Sequence, residues 1–294
     1  MAEAAMVRSR SITTSHAGRC FRRAAVSVGK HMLVAGVGLF FMLPFLDIVA
    51  SSLKPLSDIV AYPRNYIPRT IQWRNYPDAL TLMPFLVYLR NTAIICVVGV
   101  IGRLVSCALP AYSLSRLHWP GRDFALLVLL SVMMLPGQVT MIPVYIIWHR
   151  LGLINTLYPL ILPSFMGSSF FIFMLRQFFT TIPSELIDAA RVDGCSELGI
   201  LARVIVPISL PAFATVAVLT FIWNWTDFFG PLLYLQSPSR WTISLGLAQF
   251  SSRHGQISWN LLLAASVAFT IPTIVTFFLA QDVFVQGIAT TGFK

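Results

Sequence analysis

Six long apolar runs constrain this 294-residue chain more than any other feature. They fall at about 31–53, 88–115, 124–148, 158–178, 208–235 and 259–285, each long enough to cross roughly 30 Å of hydrocarbon as a helix. A bilayer offers no water to the main chain, so each crossing must close its own hydrogen bonds. The in–out alternation of barrel strands is absent. Charged residues make up only 11% of the chain against 56% hydrophobic, too few to coat a soluble surface. The reading is an all-α polytopic membrane protein with six transmembrane helices, forming one domain.

Basic residues orient it. The segment before the first run carries Arg8, Arg10, Arg19, Arg22, Arg23 and Lys30 against the single acid Glu3. Placing it in the cytoplasm also puts Arg116, Arg122, Arg176, Arg191, Arg203 and Lys294 inside. Both termini are then cytoplasmic, with 1–30 as a basic tail, 31–286 as the transmembrane domain and 287–294 as a C-terminal tail. The net charge of +10 is scattered over loops, which suits topology and anionic lipid rather than nucleic acid. The first apolar run is too long for a signal-peptide core and contains Pro44 and Asp47, so it reads as an uncleaved span. None of the four cysteines falls outside, so no structural disulfide is expected. No Cys/His grouping has metal-ligand spacing.

Between the fourth and fifth runs lies a polar island at 184–207, cytoplasmic in this orientation. It reads as two short helices about Gly194. Ser184 and Ser196 are candidate caps, Glu185 and Asp188 place negative charge in the first turn, and Pro207 is the expected stop. Small Ala189 and Ala190 permit close approach, and Leu186 and Ala189 share one helical face. Such a knuckle either docks in a protein cleft or rests on lipid headgroups. The 54–87 and 236–258 loops are outside. LPGQVTMIP at 135–143 implies a broken third span.

The island resembles the EAA loop of inner-membrane permease subunits in bacterial ATP-binding-cassette importers. That signature is E-A-A, three residues, Gly, nine residues, then I-x-L-P. Here Asp188-Ala189-Ala190, Gly194 and Val204-Ile205-Val206-Pro207 keep its spacing, with Asp for Glu and Val for Ile or Leu as departures. SSLKP at 51–55, YLRNT at 88–92, AYSLSRLHWPGR at 111–122, IPVYIIWHRLGLINT at 142–156, FMLRQFF at 173–179 and IPSEL at 182–186 resemble the maltose-type second permease subunit. The resemblance implies a type I importer permease fold whose coupling loop, 180–207, seats Glu185, Asp188, Ala189, Ala190, Asp193, Gly194 and Pro207 on an ATPase. It also implies a homologous second permease, two ATPase subunits and an extracytoplasmic solute-binding protein. ATP and Mg would be held by the ATPase, with no cofactor on this chain, which has no GxxxxGK[ST] loop to cradle phosphates. The 287–294 tail resembles one placed against the ATPase; a solvated end is the other reading.

Substrate candidates lie in the fifth run, where Trp223, Asn224 and Asp227 mix aromatic, amide and carboxylate groups. Trp223 and Trp225 cannot both face a cavity on a regular helix, so one is expected to pack. Arg103, near the middle of the second run, is costly in hydrocarbon unless paired. Asp47, Asp227, an anionic solute and a snorkelling or partner-facing orientation all remain open for it. Gln138, beside Pro136, is a further pathway candidate. The resulting expectation is a non-catalytic sugar-importer permease of the inner membrane. An autonomous secondary carrier, or import of glycerophospho compounds by the same kind of complex, is the alternative. Paired broken helices in internal repeats, which a carrier would favour, are not evident. A reporter fused near Cys195 should read as cytoplasmic; an external signal would overturn the orientation.

Overall fold

The computed structural model describes residues 2–63, 65–250 and 258–291, and every regular element among them is helical. Two compact units divide the chain, Met1–Gln72 and Trp73–Lys294.

The first unit is built on α1 (Ala2–Ser52), which runs through Pro44 without ending and contains the apolar span Val26–Ser52. Beyond it lie α2 (Leu56–Ile59) and a return segment fixed by the Gln72 amide bonding the Leu53 carbonyl at 2.8 Å. Lys54, the first residue of the loop expected outside at 54–87, is 1% exposed. Its ammonium donates to the Asn65 carbonyl at 2.7 Å, so it ties a loop rather than meeting solvent.

The second unit opens with α3 (Asn75–Leu82) and the long α4 (Phe85–Arg116). Gly121, at φ 89°, makes the expected reversal into α5 (Arg122–Met133). Pro136, with no N–H to offer, stands at the break before α6 (Gly137–Arg150). The two arms meet at 96°, so the third span is broken where its prolines predict. The next crossing joins α7 (Tyr158–Ile161), a 3-10 turn (Leu162–Met166) and α8 (Ser169–Thr181). After the knuckle, comprising α9 (Ser184–Val192), α10 (Glu197–Ile200) and α11 (Val206–Ile208), comes α12 (Leu210–Thr226). Last come α13 (Phe229–Tyr234), α14 (Ile243–Phe250) and α15 (Trp259–Thr291). Four helices are long and apolar enough to cross a membrane, or six if each of two bent pairs is one crossing. The polar loop expected at 236–258 is in part helical, because Ile243 and Leu245 of α14 are buried.

Two apolar clusters share α4. Toward its C-terminal end, Cys107, Ala111 and Leu114 pack with Phe171, Leu175 and Phe179 of α8 and Phe213 and Val216 of α12. Toward its start, Tyr88 and Cys96 pack with Trp225, Trp241, Ile243 and Ala264. Close approach at mid-helix needs small residues: a Cβ at Gly99 would collide with the Asn224 amide, and one at Gly102 with the Phe165 ring.

The ends of α4 and α8 cap each other. Arg116 of α4 donates to the Phe179 and Ile182 carbonyls at the end of α8. In return, Arg176 of α8 donates to the Leu114 carbonyl at 3.2 Å. Each cation also meets the negative end of a helix dipole. Arg116→Met should lower stability by about 1–3 kcal/mol, chiefly through the Ile182 carbonyl, because the Phe179 carbonyl keeps the Ile182 amide as donor. Arg116→Lys, with no planar fork, should fall between the two. Unfolding midpoints in detergent check this order.

Candidate functional site: the knuckle and the polar groups of the spans

Helix α9 is amphipathic, with one face committed to the chain's own core. Ile187 is 2% exposed and Ala190 8%, both packed into the α4–α8–α12 cluster. Glu185, Leu186, Asp188, Ala189, Val192 and Asp193 lie on the exposed side. Ala190 therefore faces inward, whereas Ala189 is available to a partner. Ser184 does not cap the helix: Pro183 occupies the cap position and no side-chain bond forms there.

The C-terminal end is a Schellman turn. The Gly194 amide bonds the Arg191 carbonyl and the Cys195 amide bonds the Ala190 carbonyl, each at 3.0 Å. Gly194 supplies the required positive φ, 79°. Ser196 caps α10 as expected, its hydroxyl accepting from the Gly199 amide at 3.2 Å. Pro207 does not stop the helix. One π-helical turn (Leu201–Ile205) precedes it, the chain stays helical through Ile208, and the 82° bend falls at Ser209. A proline within helix removes a ladder bond and crowds the preceding carbonyl, which a widened turn accommodates.

A polar chain runs across this knuckle into the second span. Arg191 meets Asp188 Oδ1 at 3.2 Å and Glu197 Oε1 at 2.9 Å. The Tyr112 hydroxyl of α4 donates to Glu197 Oε2 at 2.5 Å. The Arg191 guanidinium, with the Tyr112 hydroxyl second, holds the Glu197 carboxyl below its usual range. Sequence reasoning did not assemble this set. Arg191 and Glu197 flank Gly194 closely enough to suggest a pair, but nothing local joins either to Tyr112.

The candidates within the spans divide. Trp225 is the packing partner: it is 3% exposed, stacks between Phe221 and Phe269, and donates to the Phe269 carbonyl at 3.0 Å. Trp223 is 51% exposed and tilts against Phe171 with ring centroids 5.1 Å apart. Asn224 lies against Gly99, its amide nitrogen buried without a partner. Asp227 sits just past the end of α12. Its Oδ1 accepts from the Gly230 amide at 3.0 Å, a cap for the turn into α13. Arg103 is met by main-chain carbonyls rather than by Asp227, with Nη1 donating to Gly167 at 2.8 Å and Pro163 at 3.5 Å. Gln138 is exposed near the start of α6, and residues 292–294 of the 287–294 tail lie outside the described residues.

Residues 105–290 match the family described as "Binding-protein-dependent transport system inner membrane component". The chain belongs to that family. It is 30% identical over 270 residues to the arabinooligosaccharides transport system permease protein AraQ of Halalkalibacterium halodurans, covering 88% of this chain and 94% of the relative. To the sn-glycerol-3-phosphate transport system permease protein UgpE of Rhizobium meliloti it is 30% identical over 272 residues, with coverage of 90% and 96%. Its fold is that of a bacterial ABC transporter involved in the import of the acidic polysaccharide alginate, at TM-score 0.78 and 23% identity over 87% of this chain and 95% of that one. This permease is thus an all-α, multi-pass membrane protein of the ABC importer type.

Because no atom lies within 4 Å of a Cβ placed at Gly194, substitution there acts through φ alone. Gly194→Ala should cost about 1–2 kcal/mol and Gly194→Asn less. Gly194→Val should be worst, with transport falling in the order Asn, Ala, Val. Equal transport by all three would show that the turn is not needed.

Proposed function

We propose that this permease is one half of the translocation pathway of an ATP-driven carbohydrate importer, with the knuckle seated on a separate ATPase. The observation that carries the reading is α9: an exposed face of Leu186, Ala189 and Val192 among Glu185, Asp188 and Asp193, on a helix fixed by its buried side and its Schellman turn. A surface so rigid suits docking in a cleft better than lying on headgroups. Gly194 shapes the turn and Pro207 the joint beyond it. In this proposal both termini and the knuckle are cytoplasmic. A homologous permease completes the pathway, two ATPase subunits bind ATP and Mg, and an extracytoplasmic protein delivers the solute. The chain itself holds no cofactor and carries out no catalysis.

For the solute, half-exposed Trp223 offers an aromatic face to the C–H side of a sugar ring. Asn224 beside it offers an amide for hydroxyls. Arg103 donates through Nη1 to main-chain carbonyls while its Nε is buried without a partner, and Asp227 caps a turn, so both help to hold the helix breaks that shape the pathway. The main-chain bonds of the Arg103 Nη1 and the Asp227 carboxylate favour an uncharged carbohydrate over a phosphorylated one, although the relative UgpE is named for sn-glycerol-3-phosphate. Gln138 would meet solute only where α6 borders the path.

Purification of the tagged chain in mild detergent should bring down an ATPase and a second permease. Thermal-shift screening of the binding protein encoded beside it should show stabilisation by neutral oligosaccharides. A chain that purifies alone and transports in liposomes would overturn the importer reading. Stabilisation by glycerophosphates alone would overturn the choice of solute.

A further inference from the structure

The knuckle reaches the spans through its chain connections, through the apolar packing of Ile187 and Ala190 against α4, α8 and α12, and through a polar lateral contact to α4. Downstream, the connection is a π turn, Pro207 and an 82° bend at Ser209. Such a joint has an interrupted hydrogen-bond ladder and yields under load. Upstream, α8 ends at Thr181 and Pro183 opens α9, so the connection there is also a broken helix. The polar lateral contact is directional where the apolar packing is not. Asp188, Arg191, Glu197 and Tyr112 form a continuous run of charge-assisted hydrogen bonds, ending on a tyrosine that is 4% exposed.

Tyr112 belongs to α4, and α4 is held at its other end as well. Asn91 donates to the carbonyls of Ser239 and Trp241 at 3.1 and 3.0 Å. Thr92 accepts from the Ile243 amide at 3.0 Å. Tyr112 and Asn91 are about 30 Å apart along the helix at 1.5 Å per residue. One helix thus grips the knuckle at one end and the 239–243 segment, on the opposite side, at the other.

We propose that Tyr112 is a positioning residue for coupling: its bond to Glu197 makes α4 the lever that carries knuckle displacement to the 239–243 segment. The proposal rests on the importer reading above. It adds the route, which runs through the second span rather than through the helix that follows Pro207.

The test uses the complex that co-purifies with the full chain, placed in proteoliposomes with ATP and vanadate inside. Ser239→Cys reports the outer end through its labelling rate with a membrane-impermeant maleimide, followed at that peptide by mass spectrometry. ATP with vanadate should change this rate in the parent complex. Tyr112→Phe keeps the ring and its packing, and Glu197→Gln alters a partly exposed site, so both should assemble and hydrolyse ATP. Each should shrink the nucleotide-driven change about tenfold, the worth of one hydrogen bond to a charged group, and the double variant should add little. An undiminished change in both single variants would overturn the lever while leaving the importer reading intact. No nucleotide-driven change in the parent complex would also overturn it. Failure of the unmutated chain to bring down any ATPase would overturn both.

Discussion

Every break in a membrane-crossing helix strands main-chain groups where no water can reach them. Much of this structure follows from how those groups are repaired. Where the 3-10 turn after α7 ends, Arg103 supplies Gly167 and Ser106 supplies Ser164 at 2.8 Å. Beyond α12, Asp227 accepts from Gly230, and its own carbonyl is met by Ser244 at 2.5 Å. In the connection between α6 and α7, Asn155, at φ 60°, likewise receives the Gln236 and Ser237 amides on one side-chain oxygen. The polar residues of the spans are thus in large part the repair kit of a deliberately interrupted backbone. That is why charge inside the hydrocarbon is tolerated here without an opposite charge beside it.

Those interruptions leave α4 as the longest unbroken helix of the second unit apart from α15. It belongs to both apolar clusters, and glycines at mid-length let α12 and the 3-10 turn approach its backbone. A transport component needs segments that bend and a segment that does not. The broken third span and the bend at Ser209 supply the first, and α4 the second.

Much of this was legible in the sequence. The number of spans follows from run length, the break at Pro136 from proline chemistry, and the turn at Gly194 from the need for a positive φ. The packing role of one tryptophan in the 223–225 pair follows from helical period, although only the structure shows that it is Trp225. Other expectations failed for identifiable reasons. Pro207 looked like a helix stop, but a π turn absorbs its missing donor and the bend moves to Ser209. Ser184 had the chemistry of a cap, yet Pro183 already fixes the entry backbone. A pair between Arg103 and Asp227 was one of several arrangements left open for that arginine, and it does not form. Their real partners are carbonyls and amides, which carry no signature in a one-letter string. Tyr112 was invisible as a contact of Glu197 because 85 residues separate them.

The mutual capping of α4 and α8 has a geometric consequence. Two arginines, each anchored on the opposite helix within a few residues of its end, act as crossed pins through one point. Tilting one helix about that point leaves both sets of bonds near their starting lengths. Sliding it along its axis shortens one set and stretches the other. The motion left open to this pair is a scissoring one, with its axle at the paired C-terminal ends.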